Sequence, residues 1–314
     1  MYVIDSLVES LFVQKGMVST DFSVLCITTT NPVYLVFHEH SCYPLFVIRS
    51  ANSKADKRVH YANFRLSVVA KGVVPEVLGL FRHEGKLYSV QKGVQGSPWF
   101  KMARLMRVQR DRSIIREQAL QALDAFRKGV QTVPEWKMRI RLGDCLRSAY
   151  RAFLEIETDM EVGTRNLLLK NLVYTMASTL DREGLWEGIW QHGDFSLNNL
   201  LFDGDHATVI DFEDFGITLM PLYDEFTLAL SLNGLSTTLP SIPQFSEELY
   251  ACTNSYVQRF SLGYDTVQAL FLSHLLIRLG SWSAEEKRLP YRRKLLTLLD
   301  QYIEAPNRFI PLSG

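Results

Sequence analysis

The sequence predicts an α+β protein in two parts: a small antiparallel β-sheet lobe over residues 1–96 and a larger, mostly helical lobe over 97–314. Three observations carry this. The first part holds five short runs rich in β-branched and aromatic residues, and the first three follow one another with no helix between them, the pattern of an antiparallel meander. Gly and Pro cluster once, at Gly93-Val94-Gln95-Gly96-Ser97-Pro98, which marks a boundary between lobes. Beyond it, long helical runs dominate.

The elements follow in order. Residues 1–20 suit a short amphipathic helix with Ile4, Leu7, Leu11 and Phe12 on one side. Val24 to Thr29, Pro32 to His38 and Leu45 to Ile48 are the first three strands, and Ser41-Cys42-Tyr43-Pro44 turns the chain between the last two. Lys57 to Ala70 has helical character and is closed by Lys71-Gly72. Val73 to Phe81 and Lys86 to Val90 are two further strands, split by Arg82-His83-Glu84-Gly85. The second lobe should hold helices over about 101–128, 135–158, 163–182, 246–260, 265–280 and 291–303. Between the third and fourth of these lie two short apolar β-type runs, folded back on each other by Asp203-Gly204-Asp205.

Composition narrows the classes. The chain has 314 residues and is 47% hydrophobic, enough for two lobes with a sizeable core. Basic and acidic residues balance at 34 each, so bulk attraction to nucleic acid or an anionic membrane is not expected. Cys26, Cys42, Cys145 and Cys252 are scattered without a Cys-x-x-Cys spacing, which implies neither zinc nor redox chemistry; reduced, partly buried thiols are expected. The N-terminal stretch lacks the basic and apolar regions of a signal peptide. Ala269 to Ile277 is too short to span a bilayer. A cytoplasmic protein with no membrane span is expected.

The informative run is Gln191-His192-Gly193-Asp194-Phe195-Ser196-Leu197-Asn198-Asn199, followed by Val209-Ile210-Asp211-Phe212-Glu213. Phosphoryl transfer needs positioning and charge neutralisation. A carboxylate must orient an acceptor and take its proton. Hard oxygen ligands must hold Mg2+ against phosphates. An Asp with an Asn five residues later meets both needs, and Asp211 at the second strand's end adds a charged ligand. The hairpin should return Asp211 beside Asn199.

These residues resemble the aminoglycoside phosphotransferase and choline kinase group, which shares the two-lobed protein-kinase-like fold. The resemblance implies that Asp194 is the catalytic base, that Asn199 and Asp211 bind Mg2+, and that His192 braces the loop. Pro221-Leu222-Tyr223-Asp224 resembles a segment whose Asp is mainly structural. Glu213 is similar to the glutamate of the choline kinase Asp-Phe-Glu, placed to touch metal or acceptor. ATP is the implied donor, with GTP as the alternative, lying against the main chain near Lys92 and Val94. The acceptor would be a small polar molecule such as an aminoglycoside, an amino-alcohol or a sugar.

The first lobe departs from the group. Arg49 stands at the end of the third strand where a phosphate-binding Lys is usual; its guanidinium can bind phosphate bidentately. Residues 57–70 contain no acid to pair with that cation, leaving His60 or Asn63 as substitutes, or no pair. The turn Cys26-Ile27-Thr28-Thr29-Thr30-Asn31 is not glycine-rich. These departures raise the alternative of a catalytically impaired nucleotide-binding module acting through partners. Lys101, Arg104, Arg107, Arg110, Arg112 and Arg116 form a basic run, more simply a solvated helix face than an anion site. Trp186, Trp190, Tyr223 and Trp282 suit core packing better than a ring-lined pocket for a cationic acceptor. His206 is expected to be exposed in its turn.

Overall fold

The computed structural model describes residues 3–14, 21–27, 32–99, 109–157, 164–233, 242–280 and 289–310. Thr28 to Asn31, Lys101 to Arg107 and Trp282 lie outside them, and so do the side chains of Arg110 and Arg112. The chain forms two compact units. One is Met1–Val133 with Leu197–Phe215; the other is Pro134–Ser196 with Gly216–Gly314. The sequence boundary at 96/97 differs from this division. The helix after it and the hairpin after Asn199 fall in the first unit, where the helix packs on the hairpin.

In the first unit, α1 (Val3–Gln14) precedes β1 (Phe22–Ile27), β2 (Val33–His38) and β3 (Pro44–Ser50); α2 (Lys54–Val69) precedes β4 (Val77–His83) and β5 (Lys86–Lys92). These strands make one antiparallel sheet in the order β1-β2-β3-β5-β4. The alternation of β3 decides what the sheet presents. Phe46 and Ile48 point to one face, where Leu7, Val8, Leu11 and Phe12 of α1 cover them. Each such side chain contributes roughly 1.5–3 kcal/mol by leaving water. Arg49, one residue out of phase, lies on the opposite face and pairs in register with Ser89, whose hydroxyl meets His60 of α2 at 2.7 Å. Helix α2 starts earlier than expected. Ser53 caps it, with Ser53 Oγ accepting from Asp56 N and Asp56 Oδ2 accepting from Ser53 N, both at 3.0 Å. The Ser-x-x-Asp spacing signals this capping box.

The Gly-Pro segment is packed rather than a free linker. A Cβ on Gly93 would sit 1.7 Å from the Pro44 carbonyl oxygen, so no side chain fits. Gly96 has φ +153 and lies against Leu201 and Phe202. Ser97–Pro98 (β6) then pairs with β9 (Leu200–Asp203), which pairs with β10 (His206–Val209). Helix α3 (Gln109–Gln131) packs on this hairpin.

The second unit opens with a correction. Residues 137–141, expected within a helix, form β7 (Lys137–Arg141), paired with β8 (Leu185–Ile189). Lys-Met-Arg-Ile-Arg alternates with period two, a strand signal that the following helix α4 (Leu142–Ile156) masked. Helices α5 (Thr164–Arg182), α6 (Tyr223–Asn233), α7 (Ile242–Phe260), α8 (Tyr264–Leu279) and α9 (Leu289–Glu304) complete it. Helix α6 was not expected from sequence. Helix α8 is the hub. It touches α4, α5, α6 and α9, and is buried on nearly every side. Cys26 and Cys42 are exposed, contrary to expectation, Cys145 is half-buried and Cys252 buried; all four are free. Among the described residues no helix is long and apolar enough to cross a membrane.

His274 of α8 is fully buried among Tyr223, Phe226 and Phe271, its ring 4.7 Å from that of Tyr223. Burial, and then the charge of Arg278, hold its pKa well below 6.5. The unfolded chain therefore takes up a proton below about pH 6.5 that the folded chain refuses, so folding weakens on acidification, by up to about 1.4 kcal/mol per pH unit for one proton. His274→Phe should retain the fold and show a smaller drop in melting temperature than the parent between pH 7.5 and 5.5.

Candidate active site

The segment after β8 carries His192 and Asp194, two of the residues singled out from the sequence. Gln191, His192, Gly193 and Phe195 are all buried without being helix or strand, so their main-chain groups need partners. Thr218 O accepts from Gln191 N at 3.2 Å, and Gly216 N donates to Gln191 O at 2.9 Å. Asp224, in the first turn of α6, accepts from His192 N at 2.7 Å and Gly193 N at 3.1 Å. Its charge suits that helix end. This is the structural aspartate that the Pro-x-x-Asp resemblance implied. His192 is fully buried, packs edge-on to Phe195 at 5.7 Å and takes Asp194 N on Nδ1 at 3.3 Å.

Asp194 itself is partly open, its side chain 25% exposed. Its Oδ1 accepts from Arg278 Nη2 at 2.9 Å, while Arg278 Nη1 donates to Gly193 O at 3.1 Å. Sequence inspection missed Arg278. It sits 84 positions away on a helix with no motif, and only the packing of α8 brings it here.

In the first unit the hairpin behaves as its spacing predicted. Ile210 N donates to Asn199 O at 2.9 Å, which sets Asn199, in a single 3-10 turn before β9, beside the chain entering Asp211. Asp211 has φ 65, a left-handed backbone that Asp tolerates better than bulky residues. Phe212 and Phe215 flank it and pack on Phe126 of α3, with ring centroids 6.0 and 6.1 Å away. Arg49 Nη1 faces Asp211 Oδ1 at 3.7 Å and Glu213 Oε1 at 3.5 Å. The partner carboxylates thus come from the segment after β10. Neither His60, which is bonded to Ser89, nor Asn63 of α2 supplies them.

Those two ion pairs are long and partly exposed, so they add little to stability. Two buried atoms in the cluster, Arg49 Nε and Asp211 Oδ1, have no hydrogen-bond partner among the described residues. One cation facing two carboxylates, loosely held and not fully satisfied, fits a ligand that carries both signs: phosphate oxygens for the guanidinium and a divalent ion for the carboxylates. Mg2+ takes one or two protein carboxylates and completes its shell with phosphate and water, so a full protein cage is not required. Among the described residues no cluster of three or more His, Cys, Asp or Glu side chains forms a metal site.

Lys92 is separated from this cluster. It is the cross-strand partner of Phe46, and directly opposed residues share a face, so its side chain leaves the sheet on the α1 side, opposite Arg49. Its N–H is taken by Glu76 O. Lys92 and Val94 line a cleft of about 510 Å³ with Leu45, Glu76, Asp203 and His206, and Arg49, Asn199, Asp211 and Glu213 are not in its wall. The aromatic residues go mainly to packing. Trp190 stacks on Trp136 at 6.0 Å, Trp186 lies 5.7 Å from Phe260, and Tyr223 is fully buried. His206 is exposed, as expected.

A five-stranded antiparallel sheet with a cation on its third strand, and a mostly helical part that holds Asp194 on a buried loop, are the parts of a kinase-like fold. The model of the phosphotransferase enzyme family matches residues 28–235, more than half of the chain, and the chain belongs to that family. A search of curated protein sequences returns no match. Among solved structures, a thermostable mutant of an aminoglycoside phosphotransferase superposes with a TM-score of 0.60 at 14% identity, covering 95% of this chain and 98% of that one. The same enzyme in a ternary complex with ADP and hygromycin B gives a TM-score of 0.56 at 14% identity, covering 97% and 99%. A choline/ethanolamine kinase family protein from Mesorhizobium loti gives 0.55 at 16% identity, covering 98% and 97%. At such identities the likeness shows the fold.

Asp224→Ala should leave two buried N–H groups without an acceptor, at about 1–3 kcal/mol each. Chemical denaturation should show a loss of roughly 2–5 kcal/mol, and a smaller one for Asp224→Asn, which keeps one acceptor oxygen.

Proposed function

We propose that this phosphotransferase is a small-molecule kinase moving the γ-phosphoryl group of ATP to a hydroxyl of a polar acceptor, with Mg2+ as cofactor and GTP as the alternative donor. The observation that carries this is the Arg49, Asp211 and Glu213 cluster with its two unsatisfied buried atoms. In this reading Arg49 takes phosphate oxygens, while Asn199 and Asp211 hold the metal. Mg2+ bound there supplies charge neutralisation to the phosphates. Asp194, held by Arg278, takes the acceptor's proton. The acceptor oxygen forms its bond to the γ-phosphorus, the bond from that phosphorus to the bridging oxygen breaks, and the proton ends on the carboxylate. His192 stiffens the loop. Lys92 and Val94 meet the base through main-chain groups. Residues 1–96 would supply most nucleotide contacts and 97–314 the catalytic and acceptor groups, in a cytoplasmic setting.

The acceptor class rests on the neighbours. Hygromycin B in one complex, and choline or ethanolamine in the name of the other family, are small polar molecules bearing hydroxyl groups. The missing acid of α2 was one of the three departures that raised an impaired module. Carboxylates reach Arg49 from positions 211 and 213 instead, which favours the active enzyme.

The test is ATP consumption, with Mg2+, against aminoglycosides, amino-alcohols, sugars and nucleosides. Asp194→Asn should lower turnover by about 10²–10⁴-fold while nucleotide affinity survives. Asp211→Ala should instead weaken Mg2+–ATP binding, read as a lost thermal shift. Full activity in Asp194→Asn would overturn the assignment of the base.

A further inference from the structure

Arg278 is a buried charge that the sequence motifs do not account for. Its side chain is 2% exposed, at the end of α8, the most enclosed helix of its unit. Removing a guanidinium from water costs several kcal/mol unless partners compensate. The partners here are specific. Nη2 donates to the Asp194 carboxylate, Nη1 donates to the Gly193 carbonyl, and the Tyr291 ring of α9 lies 5.6 Å from the guanidinium carbon. Burial alone would lower the Arg278 pKa; Tyr291, Tyr223 and Asp194 together outweigh it and raise it, so the group stays charged.

We propose that Arg278 is the positioning residue of the reaction, fixing the orientation of the Asp194 carboxylate from behind. The inference rests on Asp194 being the base. A planar fork can grip a carboxylate and a neighbouring carbonyl at once, which a single ammonium cannot do in the same geometry. Holding both the side chain of Asp194 and the main chain of Gly193 removes the freedom of that carboxylate to swing. A base must lie within about 2.6–3.2 Å of the proton it takes. A displacement of about 1 Å costs on the order of 10²-fold in rate. Arg278 does not itself touch the reactants. The burial that makes it expensive makes it rigid.

The experiment measures Mg2+-dependent ATP turnover with water as the acceptor, on variants first checked for cooperative melting. Arg278→Gln should lower kcat by about 10²-fold with the KM for ATP within about twofold of the parent. Arg278→Lys should recover part of the loss. In an Asp194→Asn background, Arg278→Gln should change kcat by less than about threefold, because the two residues act as one unit. A folded Arg278→Gln protein with parental kcat, or losses that multiply in the double variant, would overturn the positioning role while leaving Asp194 as base. An Asp194→Asn protein with full activity would instead sink the reading beneath it and this inference with it. If Arg278→Gln does not fold, Arg278→Lys decides: a roughly tenfold lower kcat at unchanged KM for ATP supports the role, and a parental kcat rejects it.

Discussion

The structure depends on keeping one irregular loop dry. Residues 191–193 and 195 are buried, yet they belong to no helix or strand, so each main-chain group needs a specific partner. Asp224 accepts two N–H groups, Thr218 a third, Gly216 donates to one carbonyl and Arg278 to another. These partners come from the segment after residue 215, from α6 and from α8. The helical part of the chain is thus a frame whose cost in ordering is spent on holding Asp194 at the edge of water. A charged partner on each side, Asp224 below the main chain and Arg278 behind the side chain, also leaves the loop few alternative conformations.

The first unit follows another constraint, the two faces of a pleated sheet. One face is sealed by α1 through Phe12, Phe46, Ile48 and their neighbours. The other carries Arg49. Because Phe46, Ile48 and Arg49 alternate at the end of β3, the apolar seal and the cation are consequences of the same register, and a slip by one residue there would exchange them. The carboxylates that face that cation come from the acidic segment after β10. Arg has a longer reach than Lys and a fork rather than a point charge, so a carboxylate at a different position can face it. The long distances there, 3.5 and 3.7 Å, describe a guanidinium that is guided but not locked.

The sequence by itself determined what local patterns encode. Alternating apolar runs gave the strands of the first sheet, since burial on a pleat has period two. The Asp203-Gly204-Asp205 turn gave the hairpin, and with it the approach of Ile210 to Asn199. The spacing of His192, Asp194, Asn199 and Asp211 pointed to phosphoryl transfer, and the family match agrees with that class of chemistry. Tertiary structure decided the rest. Residues 137–141 became a strand because a distant partner, Leu185–Ile189, was there to pair with them. Gly93 and Gly96 mark a lobe boundary in the sequence, but the close approach of Pro44 and Leu201 is what requires them. Lys92, on the strand beside that of Arg49, faces away from it because of cross-strand register. Glu213 and Arg278 acquired their partners only through contacts spanning 164 and 84 residues. A single charged side chain carries no local mark of what it will meet, since its partner is chosen by the packing of elements that the chain brings together only after folding.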